Sequence, residues 1–400
     1  ENNAENIVYS FGDCPFLNLE LTKSLIETHT QYCAEYTFAD GYPYGLAPEV
    51  ISSDVVNLLL QLNKNELVQE VKKDSLFALI KTDINSFEVE TILSEDDWRL
   101  FRMSFDCSSL QGMKACQALF DMNLQTVNPD EISKCASENV KILKTVPSFY
   151  NVEICGKCSG LCSYCPHAAE GKKSTQKMNI DSFKTLVKQI SDFSENAVVS
   201  LSAFGEPLLH PEFEEFVKAV LMEPGLSVLV ETDGINLNEQ IIKKIAELAN
   251  SVPHRRNGYE KIMWIVSIDA MTKETYGLLR GSEEKFGYAN AIVALLQNYF
   301  PGSVYPQMVR MNENEHELES FYRFWNEKTS PSGGNLVIQK YSNYCKSLPD
   351  RKPADLSPIE RNPCWHLRRD LTIRADGSVP VCKEKFGDGF VGNVFSEDIK

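Results

Sequence analysis

Four cysteines lie close together near the middle of the chain, in the segment CGKCSGLCSYCPH. They are Cys155, Cys158, Cys162 and Cys165. The whole chain contains 12 cysteines and shows no leader-like segment at its start, so we expect a reducing compartment, the cytoplasm. There, clustered thiols serve metal binding or catalysis rather than disulfide bonds. The spacing of the four residues therefore decides which chemistry is available.

That spacing separates several kinds of thiol site. A zinc ribbon needs two C-x2-C pairs roughly 15–20 residues apart, whereas these two pairs are almost adjacent. A redox dithiol needs one such pair, and the C-x2-C-x2-C run of bacterial ferredoxins does not match. The set Cys158-x3-Cys162-x2-Cys165 fits three thiolates on three irons of a 4Fe–4S cube, with the fourth iron open to a ligand. Cys155 is expected to end the preceding strand, outside this set.

The cysteines follow a strand-like run in a region where strands and helices alternate. The runs FYNVEI, AVVSLSAF, LSVLVET, IMWIVSI and VYPQMVRM are typical of strands, and helical patterns such as IDSFKTLVKQISDF, PEFEEFVKAVLM, NEQIIKKIAELAN and YANAIVALLQNYF separate them. This order predicts an α/β fold, a partial (β/α)6 TIM-like barrel over residues 146–335. In such a barrel the chemistry lies at the carboxyl ends of the strands.

Polar motifs follow the next four strands in turn. They are SAFGEP at 202–207, ETDG at 231–234, SID at 267–269 with Arg280 soon after, and VRM at 309–311. Each motif alone is also explained by an ordinary turn or helix cap. Together, at consecutive strand ends, they indicate one composite site. A serine hydroxyl with a guanidinium, as in Ser267 and Arg280, makes a strong clamp for a carboxylate.

The cysteine spacing, with Tyr164 before the last cysteine, resembles that of radical S-adenosylmethionine (SAM) enzymes. The resemblance implies that Cys158, Cys162 and Cys165 hold a 4Fe–4S cluster whose fourth iron binds SAM. One electron, from a reductant such as flavodoxin or ferredoxin, would then release a 5′-deoxyadenosyl radical that removes hydrogen from a substrate. The cofactor-binding residues implied are Tyr164, Phe204, Gly205, Glu206, Thr232, Ser267, Asp269, Arg280, Val309 and Met311.

The same resemblance implies a role for each motif. Glu206 and its turn, similar to the family's GGEP motif, would meet the methionine amino group. The ETDG turn would lie near the ribose, the Ser267–Arg280 pair near the methionine carboxylate, and the VRM segment near the adenine. The chain departs from the family pattern in Phe204, which replaces a glycine, and in Asp233, which replaces an asparagine.

Residues 336–400 resemble the start of a SPASM domain, the auxiliary-cluster module of peptide-modifying radical enzymes. The resemblance rests on Cys364-Trp365-His366 and on the spacing Gly377-x4-Cys382. It implies that Cys364 and Cys382 are ligands of an auxiliary Fe–S cluster, with Cys345 as a further candidate. The later cysteines of that pattern do not occur before Lys400, so an incomplete module without a second cluster is the alternative.

Residues 1–145 carry the segment GDCPFL at 12–17, which resembles a motif of cytidylyltransferase-type sugar nucleotidyltransferases with a GT-A-like α/β fold. The resemblance implies that Asp13 and Asp106 lie near a nucleotide-bound Mg²⁺. The glycine-rich phosphate loop of that family is absent, so a scaffold or substrate-docking role is the alternative. Within this region, apolar positions recur at helical spacing over 49–63. The three regions together resemble the spiro-SPASM proteins.

The net charge and the length of the apolar runs exclude some classes of binding partner. A formal net charge of −16 argues against nucleic acid and anionic membranes, and no apolar run reaches the roughly 18 residues of a membrane span. We expect a radical enzyme acting on a peptide or protein, as the SPASM resemblance implies, or on a glycosyl substrate, as the N-terminal resemblance implies. The alternatives are a sugar-nucleotide enzyme with a structural cluster and a non-catalytic iron–sulfur or zinc scaffold.

Overall fold

The computed structural model describes residues 4–63, 71–123, 128–169, 175–354, 364–385 and 389–399. The chain divides into two compact units: Glu1–Val146 with Arg361–Arg368, and Pro147–Glu360 with Arg369–Lys400. In the described ranges, no helix has both the length and the apolar character needed to cross a membrane.

The first unit is built on a small mixed sheet. Its elements are β1 (Asn6–Tyr9), α1 (Leu19–Gln31), β2 (Tyr36–Asp40), β3 (Glu49–Ser52), α2 (Val56–Leu62), α3 (Ser75–Ile80), β4 (Val89–Leu93), α4 (Leu110–Asp121) and α5 (Pro129–Glu138). The strands lie in the order β1-β3-β2-β4. Strand β3 is antiparallel to both its neighbours, whereas β2 and β4 are parallel.

The helix predicted from the apolar spacing over 49–63 is found only in the second half of that range. Residues Glu49–Ser52 are a strand, and the α-helix begins at Val56. The first residues stay extended because β3 exchanges hydrogen bonds with strands on both sides, and Val50 and Ile51 are buried there. Sheet pairing overrides a local pattern that helix and strand share.

The second unit is a parallel sheet covered by helices. Its elements are β5 (Phe149–Val152), α6 (Pro166–Ala169), α7 (Ile180–Ser194), β6 (Ala197–Ser200), α8 (Phe213–Leu221), β7 (Leu226–Thr232), α9 (Glu239–Ser251), β8 (Ile262–Ser267), α10 (Lys273–Arg280), α11 (Phe286–Tyr299), β9 (Val304–Arg310), α12 (Leu318–Asn326), β10 (Val337–Lys340), α13 (His366–Arg369), β11 (Asp370–Ile373), β12 (Ser378–Pro380) and β13 (Phe390–Asn393). The first three residues of the short helix α13 belong to the first unit.

Seven strands form one parallel half-barrel sheet in the order β10-β9-β8-β7-β6-β5-β11. All five strand-like runs predicted from the sequence lie in it, and the predicted helices run between them. Val230, Trp264, Val266 and Phe216 are fully buried in the core of this unit. Burying each such side chain contributes about 1.5–3 kcal/mol, so the core fixes the strand order and brings the strand ends together.

Strands β10 and β11 come from the range expected to form a C-terminal module. Strand β10 pairs with β9, and β11 pairs with β5 on the opposite edge of the sheet. The small hairpin of β12 and β13 follows. Part of residues 336–400 therefore completes the sheet of the second unit.

Local capping explains where the helices beside the site begin and end. The side chains of Asn179, Asn238 and Thr272 accept hydrogen bonds from the first turns of α7, α9 and α10. Helix α10 ends at Gly281, whose φ of +85° suits glycine. This stop places Arg280 in the last helical position, at the edge of the cysteine loop.

Candidate active site

The cysteine loop leaves the carboxyl end of β5. Cys155 is buried in the core and forms an isolated antiparallel bridge with Lys177. At Gly160 an added Cβ would lie 3.3 Å from Cys158 Sγ and 3.5 Å from Cys162 Sγ, so both sulfur atoms flank the same small space. The backbone N–H of Gly160 donates to Cys158 Sγ at 3.3 Å. The loop thus holds two of its thiols beside a glycine that leaves room between them.

The far side of the loop rests on the C-terminal end of α10. The backbone N–H of Ser163 donates to the carbonyl of Leu279 at 2.8 Å. A Cβ at Gly281 would lie 2.8 Å from Leu161 Cβ, so the helix end and the loop are in close contact. The helix that carries Arg280 therefore also positions the cysteines.

The turn after β6 packs against the near side of the loop. A Cβ at Gly205 would lie only 1.7 Å from the carbonyl oxygen of Cys155, so this close approach requires glycine. The backbone N–H of Glu206 donates to the carbonyl of Lys157 at 2.9 Å. These contacts set the Glu206 side chain beside the cysteine loop.

The Glu206 side chain is buried and contacts the end of the neighbouring strand β7. Its carboxylate accepts hydrogen bonds from Thr232 Oγ1 at 2.7 Å, from the N–H of Asp233 at 3.1 Å and from the N–H of Leu208 at 3.2 Å. Burial and the nearby Asp233 carboxylate raise the pKa of Glu206 to about 8. Among the described residues no lysine, arginine or histidine forms an ion pair with Glu206. Two acidic groups therefore lie together without a cation of their own.

Asp269 is the centre of a second buried network. Its Oδ2 accepts hydrogen bonds from Arg280 Nη1 at 2.7 Å and from the Tyr164 hydroxyl at 2.6 Å. Its Oδ1 accepts from the backbone N–H of Val309 at 2.7 Å. Arg280 Nη1 also donates to the Tyr164 oxygen at 2.8 Å. This network ties the cysteine loop, α10 and β9 together.

Asp269 has a left-handed backbone, with φ of +64°. Asn314 braces it, because Asn314 Nδ2 donates to the carbonyls of Asp269 and Val309, each at 2.9 Å. Glu317 braces the start of α10 in a similar way by accepting hydrogen bonds from Met271 N–H and Thr275 Oγ1. Asn314 and Glu317 were not predicted from the sequence, because neither lies in a strand-end motif.

The Ser267–Arg280 clamp for a carboxylate stays a prediction, and the two side chains have different partners in this structure. Ser267 Oγ donates to Gln307 Oε1 at 3.3 Å, whereas Arg280 pairs with Asp269 and Tyr164. Ser267 ends strand β8 and Arg280 ends helix α10, both in the second unit. Arg280 is available to a carboxylate only through nitrogen atoms beyond the one that Asp269 engages.

The two residues expected near adenine differ in exposure. Val309 lines a cavity at the strand ends, whereas Met311 is fully buried in an apolar cluster with Leu279 and Tyr341. The backbone N–H of Met311 donates to Asn314 Oδ1 at 2.8 Å. Val309 therefore lines the cavity and the Met311 side chain does not, and the adenine contacts of both residues stay a prediction.

Phe204 occupies the position where the family pattern has a glycine. Its ring contacts Tyr344, with ring centroids 5.9 Å apart, and the guanidinium of Arg374 lies 4.6 Å from its centroid. Phe204 lines the same cavity as Val309. The substitution gives that cavity an aromatic wall.

Of the three C-terminal cysteines, one belongs to the first unit and two belong to the second. Cys345 is exposed in a turn where Tyr344, Cys345 and Lys346 all have positive φ. Cys364 is exposed and belongs to the first unit, whereas Cys382 belongs to the second unit and accepts a hydrogen bond from the N–H of Glu384 at 3.3 Å. Their role as auxiliary-cluster ligands stays a prediction.

In the first unit, Asp13 and Asp106 are brought together by Lys73, a residue that the sequence analysis did not identify. The Lys73 ammonium lies 3.2 Å from Asp13 Oδ2 and forms an ion pair with Asp106. Asp106 also accepts hydrogen bonds from Ser104 and Ser108. Lys73 thus compensates the negative charge of the two aspartates, and their role near Mg²⁺ stays a prediction.

The residues of the second unit do fit an iron–sulfur cluster. In the described part of the chain, no three His, Cys, Asp or Glu side chains converge on the position of a single ion. A 4Fe–4S cube places its thiolates on separate irons, and Cys158 Sγ and Cys162 Sγ flank the same small space at Gly160. Burial raises the pKa of the Cys158 thiol to about 11 and also raises that of Cys162, although the Arg280 guanidinium lowers the latter. Iron would displace these protons, as metals do from coordinating thiols.

Comparisons with known proteins agree with this arrangement. Residues 152–324 match the family described as the Radical SAM superfamily. This range begins at the end of β5 and includes the cysteine loop, the Glu206 turn and the Asp269 network. The chain therefore belongs to the radical SAM superfamily.

Individual relatives cover different parts of the chain. An uncharacterized protein of Treponema pallidum (strain Nichols) is 38% identical over 331 residues, which are 81% of this chain and 89% of that protein. The S-adenosyl-L-methionine-dependent 2-deoxy-scyllo-inosamine dehydrogenase of Niallia circulans is 30% identical over 102 residues, 25% of this chain and 41% of the enzyme. Streptococcus suis SuiB bound to precursor peptide SuiA shares the fold, with a TM-score of 0.50 at 13% identity over 68% of this chain and 69% of SuiB.

Proposed function

We propose that this protein is a radical SAM enzyme whose 4Fe–4S cluster is held by Cys158, Cys162 and Cys165. The observation that carries the proposal is the contact between the cysteine loop and the turn of Gly205 and Glu206. That contact places a thiol set and a buried carboxylate side by side at the carboxyl ends of β5 and β6. Membership of the superfamily supports the same assignment.

Glu206 and Asp233 supply the binding site for the amino group of SAM. An ammonium group placed between them would relieve their mutual repulsion and replace the solvent that burial removes. Asp233 stands where the family pattern has asparagine, so the negative charge facing the ammonium is larger here. This gives the departure noted in the sequence a direct electrostatic role.

Asp269 positions Arg280 rather than binding the cofactor itself. It fixes one guanidinium nitrogen and the Tyr164 hydroxyl, and so orients the rest of the guanidinium beside the loop that carries Cys162. A guanidinium held in this way offers its remaining N–H groups to a carboxylate with little loss of entropy. Arg280 thereby binds the methionine carboxylate. Ser267 and Val309 lie at the ends of the neighbouring strands β8 and β9.

When bound and reduced, a cluster held by Cys158, Cys162 and Cys165 would supply the electron for cleavage of the C5′–S bond of SAM. The protein contributes binding, orientation and the exclusion of water around that step. A reductant such as flavodoxin or ferredoxin would provide the electron. The substrate is a peptide or protein, or a small glycosyl-like molecule; SuiB was crystallised with a peptide, and the dehydrogenase from Niallia circulans is named for an aminocyclitol.

The test is anaerobic reconstitution with iron and sulfide, followed by reduction in the presence of SAM and quantification of 5′-deoxyadenosine. Wild-type protein should hold about four irons per chain and form the product. Cys162→Ala should lose both, whereas Cys33→Ala, at an exposed cysteine of the first unit, should lose neither. Full product formation by Cys162→Ala would contradict the proposal, and so would a wild-type protein that holds the iron but forms no product.

A further inference from the structure

A polar cavity opens at the carboxyl ends of the strands in the second unit. It contains about 760 Å³ of space, part of it open to solvent. Every strand from β5 to β10 contributes to its wall, directly or through the residues that follow it. Its polar lining includes Asn151, Ser202, Glu231, Ser267, Gln307 and Gln339.

Part of this lining is held in place by its own hydrogen bonds. Ser267 Oγ donates to Gln307 Oε1, and Gln307 Nε2 donates to Gln339 Oε1 at 2.7 Å. Ser202 Oγ donates to the backbone carbonyl of Glu231 at 2.7 Å, which fixes the end of β7 but leaves the carboxylate of Glu231 unengaged by that bond. The wall is therefore rigid around Glu231.

The carboxylate of Glu231 faces the cavity because side chains alternate along a strand. Its neighbours Val230 and Thr232 are directed to the other face, where Val230 is fully buried in the core and Thr232 bonds Glu206. Burial raises the pKa of Glu231, whereas Lys383 and a hydrogen bond with Gln307 oppose that rise. Asp269 and Arg280 also act on it electrostatically, so Glu231 lies near the residues assigned to the cofactor.

Asn151 supplies an independent sign of a ligand in the same cavity. The residue is only 7% exposed, and its Nδ2 is buried without a hydrogen-bond partner in the described part of the chain. A buried amide left in this state costs about 1–3 kcal/mol. An apolar residue at the end of β5 would avoid that cost. The polar residue at this position is therefore best explained by a ligand that accepts a hydrogen bond from Asn151 Nδ2.

We infer that Glu231 and Asn151 bind the polar group of the substrate, and that this group is an aliphatic hydroxyl or ammonium. Glu231 accepts a hydrogen bond from it, and the amide of Asn151 donates to its oxygen or to a neighbouring one. The inference rests on the proposed function, since the bound carbon must lie within reach of the cofactor. Glu231 is then the residue that selects polar over apolar substrates.

The experiment uses probes with deuterium on carbon and measures deuterium in 5′-deoxyadenosine by mass spectrometry. The polar probes are myo-inositol and glucosamine, for small-molecule sources, and the N-acetyl amides of serine and lysine, for peptide sources. The apolar comparison is N-acetyl-leucine amide. We expect transfer from at least one polar probe and none from the leucine amide, and the probe that works identifies the source of the group.

Glu231→Gln should lower kcat/KM for that probe at least 10-fold, mainly through KM, and Asn151→Ala should lower it several-fold. Iron content and the SAM dissociation constant are measured on the same samples to exclude damage to the cofactor site. Unchanged kcat/KM in Glu231→Gln, transfer from the leucine amide, or SAM cleavage without transfer from any polar probe would each overturn the inference. Absence of 5′-deoxyadenosine in every sample would instead overturn the proposed function, and this inference with it.

Discussion

Each unit of the molecule holds a pair of acidic side chains, and the two pairs are balanced differently. In the first unit, Lys73 lies between Asp13 and Asp106 and forms an ion pair with each. In the second unit, Glu206 and Asp233 lie together, and no ion pair with a basic residue reaches Glu206 within the described ranges. The first pair is complete within the fold, whereas the second lacks a positive charge.

The difference shows how structural and ligand-binding acids can be told apart. Bringing charges out of water costs several kcal/mol per ion unless an opposite charge compensates. Asp269 follows the first pattern, because Arg280 and Tyr164 engage it fully. In an acidic pair without a cation, repulsion raises the pKa of a carboxyl group and lowers the free energy of unfolding. A cationic ligand would compensate the negative charge of such a pair.

The largest effect is expected from removing the cation of a complete network. Arg280→Met leaves the Asp269 carboxylate buried without its charge partner and should lower the free energy of unfolding by about 3–5 kcal/mol. Urea denaturation of the protein without cofactors measures this. The control is Arg323→Met, which breaks an exposed pair with Glu319 and should change stability by less than about 0.5 kcal/mol. Equal effects of the two changes would break the comparison.

Removing a charge from the acidic pair of Glu206 and Asp233 should raise the free energy of unfolding, whereas removing Arg280 lowers it. The pKa of Glu206 is raised from 4.5 to about 8, so the folded state binds more protons than the unfolded state between these pH values. Stability without cofactors should therefore fall as pH rises through this window, by on the order of a few kcal/mol. Glu206→Gln should remove that slope and make the protein more stable at pH 8.

The same change should weaken cofactor binding. Loss of a charged hydrogen bond to the amino group is worth about 1.5–3 kcal/mol, or roughly 10- to 150-fold in the SAM dissociation constant of the reconstituted protein. Isothermal titration measures it. A Glu206→Gln protein that loses stability at pH 8 and binds SAM normally would show that this carboxylate is structural.

The smallest effect is expected at Lys73, which is about a quarter exposed. Lys73→Met should lower the free energy of unfolding by about 1–2 kcal/mol, less than for a fully buried pair. It should also free the two aspartates to bind a divalent cation, detected as loss of the free Mn²⁺ signal in electron paramagnetic resonance. The control is Lys188→Met at an exposed pair with Asp192. If the wild-type protein bound one Mn²⁺ per chain and Asp13→Ala abolished that binding, Lys73 would not be the partner that compensates the two aspartates.

Much of the second unit was predictable because its signals are local. Strand runs and amphipathic helices alternate there, and the asparagine and threonine caps mark the helix starts. The motifs at successive strand ends predicted which side chains lie at one edge of the sheet, since parallel strands end there together. The alternation in LSVLVET also places Glu231 in the cavity, although the ETDG motif was assigned only to the ribose.

The features that escaped prediction depend on contacts between distant residues. Strand β11 is short, and its partner β5 lies more than 200 residues earlier, so no local pattern assigns it to the sheet. Lys73 lies in no motif, and only tertiary packing brings it between Asp13 and Asp106. The link between Asp269 and Arg280 likewise appears only when α10 packs against the strand ends.

The most direct test of the central claim is whether SAM binds the cluster itself. Electron paramagnetic resonance spectra of the reconstituted and reduced protein are recorded with and without SAM. A cluster held by Cys158, Cys162 and Cys165 alone has an open iron, so its spectrum should change when SAM is added, and Glu206→Gln should need more SAM for the same change. A reduced cluster whose spectrum is identical at saturating SAM would contradict the account.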